Sequence, residues 1–110
     1  MRAWKASMKL VSTVYRISGT FPREEIYGLT SQVRRSAVSI PSNLAEGAAR
    51  LGRKEFIKFV GISRGSLSEL ETQLLIAVNL NYMDKGHEVF SQIDEVSRLI
   101  TGLYKQLCRD

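Results

Sequence analysis

Catalysis would need nucleophiles, bases or metal ligands at workable spacing, and this chain holds few of them. Its one histidine, His87, follows Gly86 in a stretch that reads as a turn, which suits a solvated loop side chain. The one cysteine, Cys108, falls in the last turn of a helical pattern and has no histidine partner. No Cys/His set has the spacing of a zinc site. The Glu-x-x-His pairs that build carboxylate metal centres inside four-helix bundles are absent. Gly61 and Gly65 lie within a helical pattern and no Lys-Ser or Lys-Thr pair follows them, so they form no phosphate loop. The expectation is a protein that is not an enzyme and carries no cofactor or metal.

Charge is the stronger signal. The chain of 110 residues has a net charge of +5 and a pI of about 9.7. The excess is confined to one end: Arg2, Lys5, Lys9, Arg16 and Arg23 are the only charged residues before Glu24. On a helix turning 100° per residue, Arg2, Lys5, Lys9 and Arg16 fall within about 60° of one another. Arg53, Lys54 and Lys58 form a second group that could extend this stripe. A basic run is often a plain solvated face. An acid-free one also fits the electrostatic footprint of a nucleic-acid binder. No helix-turn-helix, RNP aromatic set or GXXG loop is visible, so binding would be to phosphates and shape, with little sequence preference.

Four helical segments must position these residues, at about 3–18, 22–50, 53–81 and 84–108, and no alternating strand pattern occurs. In the first, Trp4, Met8, Val11 and Tyr15 make the expected core stripe, with Leu10, Val14 and Ile17 beside it. In the second, Pro22, Glu24 and Glu25 suit a short opening turn that Gly28 could separate from the main helix, which carries Leu29, Val33, Ala37, Ile40 and Leu44 at spacings of three or four. Pro41 interrupts it chemically but not periodically, which predicts one kinked helix. The third presents Phe56, Val60, Ser63, Leu67, Leu70, Leu74 and Ala77. Asp84 is the expected cap of the fourth, whose stripe is Val89, Ile93, Val96, Ile100, Leu103 and Leu107. Short links between amphipathic helices give an all-α, antiparallel up-down-up-down four-helix bundle as a single domain.

No apolar run approaches the roughly 20 residues of a membrane span, the N-terminus lacks a signal-peptide core, and a lone cysteine fits a reducing compartment. The expected location is the cytoplasm, with no membrane partner.

Two further patterns lie off the core. Gln32, Arg35, Ser39, Asn43, Glu46 and Arg50 share one flank of the second helix, and Arg64, Ser68 and Glu71 border the core of the third. They read either as a solvated face or as a structural polar network in which Arg35 and Arg64 meet Glu46 and Glu71 between helices. Val38, Ala45, Ala49, Ile57, Ile62, Ile76 and Leu80 lie outside the core stripes of the same two helices. Scattered surface apolars are normal, but a helix apolar on more than one side is usually buried on more than one side, which points to a subunit interface.

The run Phe21-Pro22-x-x-Glu25-x-Tyr27-Gly28-Leu29-Thr30-Ser31-Gln32-Val33-Arg34-Arg35-Ser36-Ala37-Val38-Ser39-Ile40-Pro41-Ser42-Asn43-Leu44-Ala45-Glu46-Gly47 resembles the signature of the bacterial four-helix bundle proteins, also called ribosomal-RNA intervening-sequence proteins. Arg50, the Phe56 region, the stretch Gly65-Ser66-Leu67-x-Glu69-Leu70-Glu71-Thr72-Gln73-Leu74 and the turn Asn81-Tyr82 fit the same family. The resemblance implies a ring-like homopentamer. It also implies kinship with a basic pentameric accessory protein of diversity-generating retroelements that binds nucleic acid and a reverse transcriptase. By that likeness Arg35, Asn43, Glu46, Arg64 and Glu71 match the family's recurrent polar positions. Arg64 before Gly65 departs from the small residue expected there. The resulting expectation is a homo-oligomer, pentameric by resemblance, binding RNA or DNA. The alternative is a scaffold for a protein partner such as a reverse transcriptase.

Overall fold

The computed structural model describes residues 1–109. Four helices carry the fold: α1 (Arg2–Ser18), α2 (Leu29–Ala49), α3 (Arg53–Asn79) and α4 (Val89–Cys108), with a short 3-10 turn at Arg23–Glu25. Each helix touches the next and α4 returns to α1, while the pairs α1–α3 and α2–α4 make no contact and are the diagonals of the bundle. The molecule measures 47 × 25 × 18 Å. Its long axis is close to the roughly 40 Å that the 27 residues of α3 span at 1.5 Å each.

The core forms where the apolar stripes converge. Leu29, Val33, Ala37, Ile40 and Leu44 of α2 are buried, as are Val60, Leu67, Leu70, Leu74 and Ala77 of α3 and Val89, Ile93, Val96 and Ile100 of α4. Phe56, Leu103 and Leu107 pack against its edge. α2 runs unbroken through Pro41. Beside the proline, the buried hydroxyl of Ser63 donates to the Ile40 carbonyl at 2.8 Å, fastening α3 to the α2 backbone.

α2 packs closely on α3 at Gly47. A Cβ there would stand 2.7 Å from Phe59 Cβ and 3.1 Å from Phe56 Cδ1, so only glycine fits without a shift. The far end of the bundle is tied by Glu25. Its Oε1 accepts from the Leu29 amide at 3.0 Å, satisfying a first-turn N–H of α2. Its Oε2 accepts from the Tyr82 hydroxyl at 2.8 Å. The Leu29 amide and then the Tyr82 hydroxyl hold the Glu25 carboxyl below its ordinary range, and the same bond raises the Tyr82 hydroxyl. Tyr82 is presented by Asn81 in the left-handed region (φ 63°), with the Tyr82 amide donating back to Ala77, the usual way a helix ends on a left-handed residue.

The opening turn expected at Pro22 is a 3-10 turn at Arg23–Glu25, and Gly28 separates it from α2. Two expectations need correction. α3 stops at Asn79 and α4 starts at Val89, so 84–88 is a turn and Asp84 caps no helix. Asp84 Oδ1 instead accepts from the Gly86 amide at 3.2 Å. The first amide of α4 is satisfied by His87 Nδ1 at 3.0 Å, so this half-buried histidine has a structural bond.

The largest correction concerns α1. Its buried face is Ala3, Ser7, Leu10, Val14 and Ser18, whereas Trp4, Met8 and Tyr15 are 38%, 44% and 45% exposed. Bulk pointed to the wrong arc. The buried arc tolerates hydroxyls because Ser7 bonds the Trp4 carbonyl and Ser18 the Tyr15 carbonyl within the helix itself.

Candidate self-association and nucleic-acid surfaces

The cationic face of α1 is built as its spacing requires. Arg2, Lys5, Lys9 and Arg16 are all exposed, and none makes an ion pair among the described residues. Arg16 is steadied by a 3.4 Å bond to the Thr13 hydroxyl. Arg53, Lys54 and Lys58 are exposed as well, and Arg53 donates to the Arg109 carbonyl at 3.2 Å, joining the start of α3 to the end of α4. The two groups do not join into one stripe. α1 and α3 are diagonal, and Lys54 and Lys58 lie opposite the buried face of α3, so within one copy they look away from the α1 cations.

The apolar surface is larger than the spacing of α2 and α3 alone implies. Val38, Ala45, Ala49, Ile62, Ile76 and Leu80 are exposed and Ile57 is half-buried. They do not make one patch. By helical position Val38, Ala45 and Ala49 lie outward on the α1 side of α2, while Ile62, Ile76 and Leu80 edge α3 on its α2 side. Trp4, Met8 and Tyr15 are exposed as well, on one arc of α1, and Tyr15 lines the same hollow as Val38. By helical position this arc and the α2 set flank the outer α1–α2 seam as an apolar strip.

The polar network takes a different form from the expected one. Arg35, Arg64 and Glu71 are exposed and make no ion pair; the one ion pair among the described residues joins Glu46 to Arg50 at 2.8 Å within α2. α2 and α3 are bridged by serines, an asparagine and a glutamine, with one carboxylate at the edge. Ser36 Oγ donates to Gln73 Oε1 at 2.9 Å, with Glu69 Oε1 at 3.3 Å. The hydroxyls of Ser39 and Ser66 are 2.8 Å apart, and Asn43 donates to both the carbonyl and the hydroxyl of Ser39. The reason is steric and dielectric. Serines let the backbones approach, and carrying guanidinium groups into that seam would cost several kcal/mol each, at roughly the scale of buried-ion desolvation. The long charged chains are left on the rim, where Gln32, Arg35 and Glu69 line a cleft of about 360 Å³.

Among the described residues no three His, Cys, Asp or Glu side chains are placed to hold a metal ion, and Cys108 is exposed. No described helix is long and apolar enough to cross a membrane.

With this geometry in view, a family model described as 23S rRNA-intervening sequence protein matches residues 1–102. A crystal structure of a protein of unknown function from the S23 ribosomal protein family of Bacteroides thetaiotaomicron VPI-5482 superposes with a TM-score of 0.69. It is 20% identical, and the alignment covers 96% of this chain and 94% of that one, a likeness of fold. No curated protein matches the chain.

Proposed function

The chain belongs to the 23S rRNA-intervening sequence protein family, and from that premise we propose a non-enzymatic, self-associating bundle that offers the cationic face of α1 to nucleic acid. One observation carries the reading: α1 has no carboxylate and shows two uncovered surfaces side by side, the cations Arg2, Lys5, Lys9 and Arg16 and the apolar arc Trp4, Met8 and Tyr15. The apolar arc is the kind of surface a second copy covers, and the cations suit a phosphate backbone. Assembly would also answer the separation of the two basic groups, since the α3 cations of one copy could stand beside the α1 cations of the next. A ring of five is the number implied by the resemblance. The family's name makes ribosomal RNA the first polyanion to test.

The test is a salt series of filter binding with structured RNA and duplex DNA. If about five phosphates are neutralised, log K falls against log salt with a slope of about −4. Absence of binding to either polymer at low salt overturns the reading. The scaffold alternative is favoured by the same apolar strip, which would serve a foreign helix as well as a second copy. One stoichiometric protein partner retained after nuclease treatment would support it.

A further inference from the structure

Where the C-terminal end of α1 meets the start of α2, Tyr15, Ile26, Tyr27, Arg34, Arg35 and Val38 surround an open hollow of about 630 Å³. Tyr27 is 94% exposed, so almost none of its ring is used by the fold. Arg34 is held in place: its Nε donates to Ser18 Oγ at 2.8 Å, its Nη2 donates to the Tyr15 carbonyl at 3.2 Å, and its guanidinium lies 4.7 Å from the centre of the Tyr15 ring. Among the described residues, Arg35 borders the hollow with no carboxylate partner and no acidic residue lines the hollow.

The geometry points to this hollow as a site for a single-stranded segment of nucleic acid, one base stacking on Tyr27 and the adjoining phosphates meeting Arg34 and Arg35. The inference rests on the nucleic-acid reading above and names the form of the polymer. A free aromatic face beside one immobilised and one exposed guanidinium group is the chemistry by which unpaired nucleotides are held, since every base has a π-face and a duplex keeps its own faces stacked. A second copy of this chain, itself carrying a net charge of +5, matches the two guanidinium groups of the hollow less well than a polyanion does. The apolar strip shares Tyr15 and Val38 with the hollow but extends away from it to the other end of α1, where Trp4 stands about 16 Å along the helix from Tyr15.

The full chain is titrated at fixed low salt with three labelled probes: a single-stranded oligothymidylate, an abasic oligomer of equal length and charge, and a matched duplex. Tyr27→Ala and Tyr27→Phe are compared with the wild type, with circular dichroism to verify folding and sedimentation to record mass. Loss of one stacked base weakens binding by roughly five- to a hundredfold. Tyr27→Ala is therefore expected to lose that factor for oligothymidylate, to leave abasic and duplex binding within about twofold, and to be rescued by Tyr27→Phe. Arg35→Ala should shift all three probes and lower the salt slope by about 1. If the wild type binds none of the probes, the underlying nucleic-acid reading fails. If it binds all of them and Tyr27→Ala changes nothing, that reading stands and the stacking site is overturned. A change in sedimenting mass without a change in oligothymidylate affinity would give the hollow to a second copy, and would also overturn it.

Discussion

The seam between α2 and α3 and the outer flank of α1 solve opposite problems. The seam is built from small residues, Ser36, Ser39, Gly47, Ser63 and Ser66, that bring two backbones together, and the four serine hydroxyls bond across it. The flank displays large residues, Trp4, Met8 and Tyr15, that the fold leaves 38%, 44% and 45% exposed. Side-chain size is thus a poor guide to burial here. Small polar residues bring α2 and α3 together around an aliphatic core, while three bulky apolar residues of α1 stay partly uncovered.

Substitutions can break or sharpen that contrast. The largest effect is expected at Leu70, fully buried on α3, where Leu70→Ala should cost about 2–5 kcal/mol in a urea melt. Gly47→Ala follows at about 1–3 kcal/mol, because a methyl group would be driven against the Cβ of Phe59. A neutral result at Gly47 would mean the two helices are less closely packed than described. Ser63→Ala should cost about 0.5–1.5 kcal/mol by removing the donor to the Ile40 carbonyl. Trp4→Ala should fall within about 0.5 kcal/mol for the dilute single chain, since the side chain is outside the core. Its effect should appear in assembly.

Acid offers a separate check on the end of the bundle. The Leu29 amide and the Tyr82 hydroxyl hold the Glu25 carboxyl below its ordinary range. Its contribution is therefore complete above the ordinary carboxylate pKa and is lost as pH falls through the lowered one. The melting temperature of Glu25→Gln should lie below wild type at about pH 7, and the gap should close towards about pH 3. A gap that stays constant with pH would rule out the ionised carboxylate as its source.

Much of the fold was legible because α2, α3 and α4 each carry one dominant apolar stripe. Leu29 to Leu44 is the clearest case, and its period survives Pro41. α1 was misread because it has two adjoining arcs about equally apolar on paper. The choice between them depends on Ser7 and Ser18 bonding within their own helix, which spacing does not reveal. The start of α4 was placed five residues early because Asp84 has the right chemistry for a cap, while the bond made by His87 Nδ1 is unusual. For the candidate surfaces, spacing located the α1 cations. It could not show that α1 and α3 are diagonal, which separates Lys54 and Lys58 from them. The hollow around Tyr27 depends on Arg34 folding back on α1, a contact between residues 19 positions apart. An unpartnered Tyr27 just before Gly28 was its only trace in the sequence.

Sedimentation mass at micromolar concentration tests the central claim most directly, with wild type compared against Trp4→Glu combined with Met8→Glu. The account predicts a wild-type particle several times heavier than the 12.4 kDa chain and a folded, lighter species for the double variant. A wild type that sediments as a single 12.4 kDa chain would contradict it.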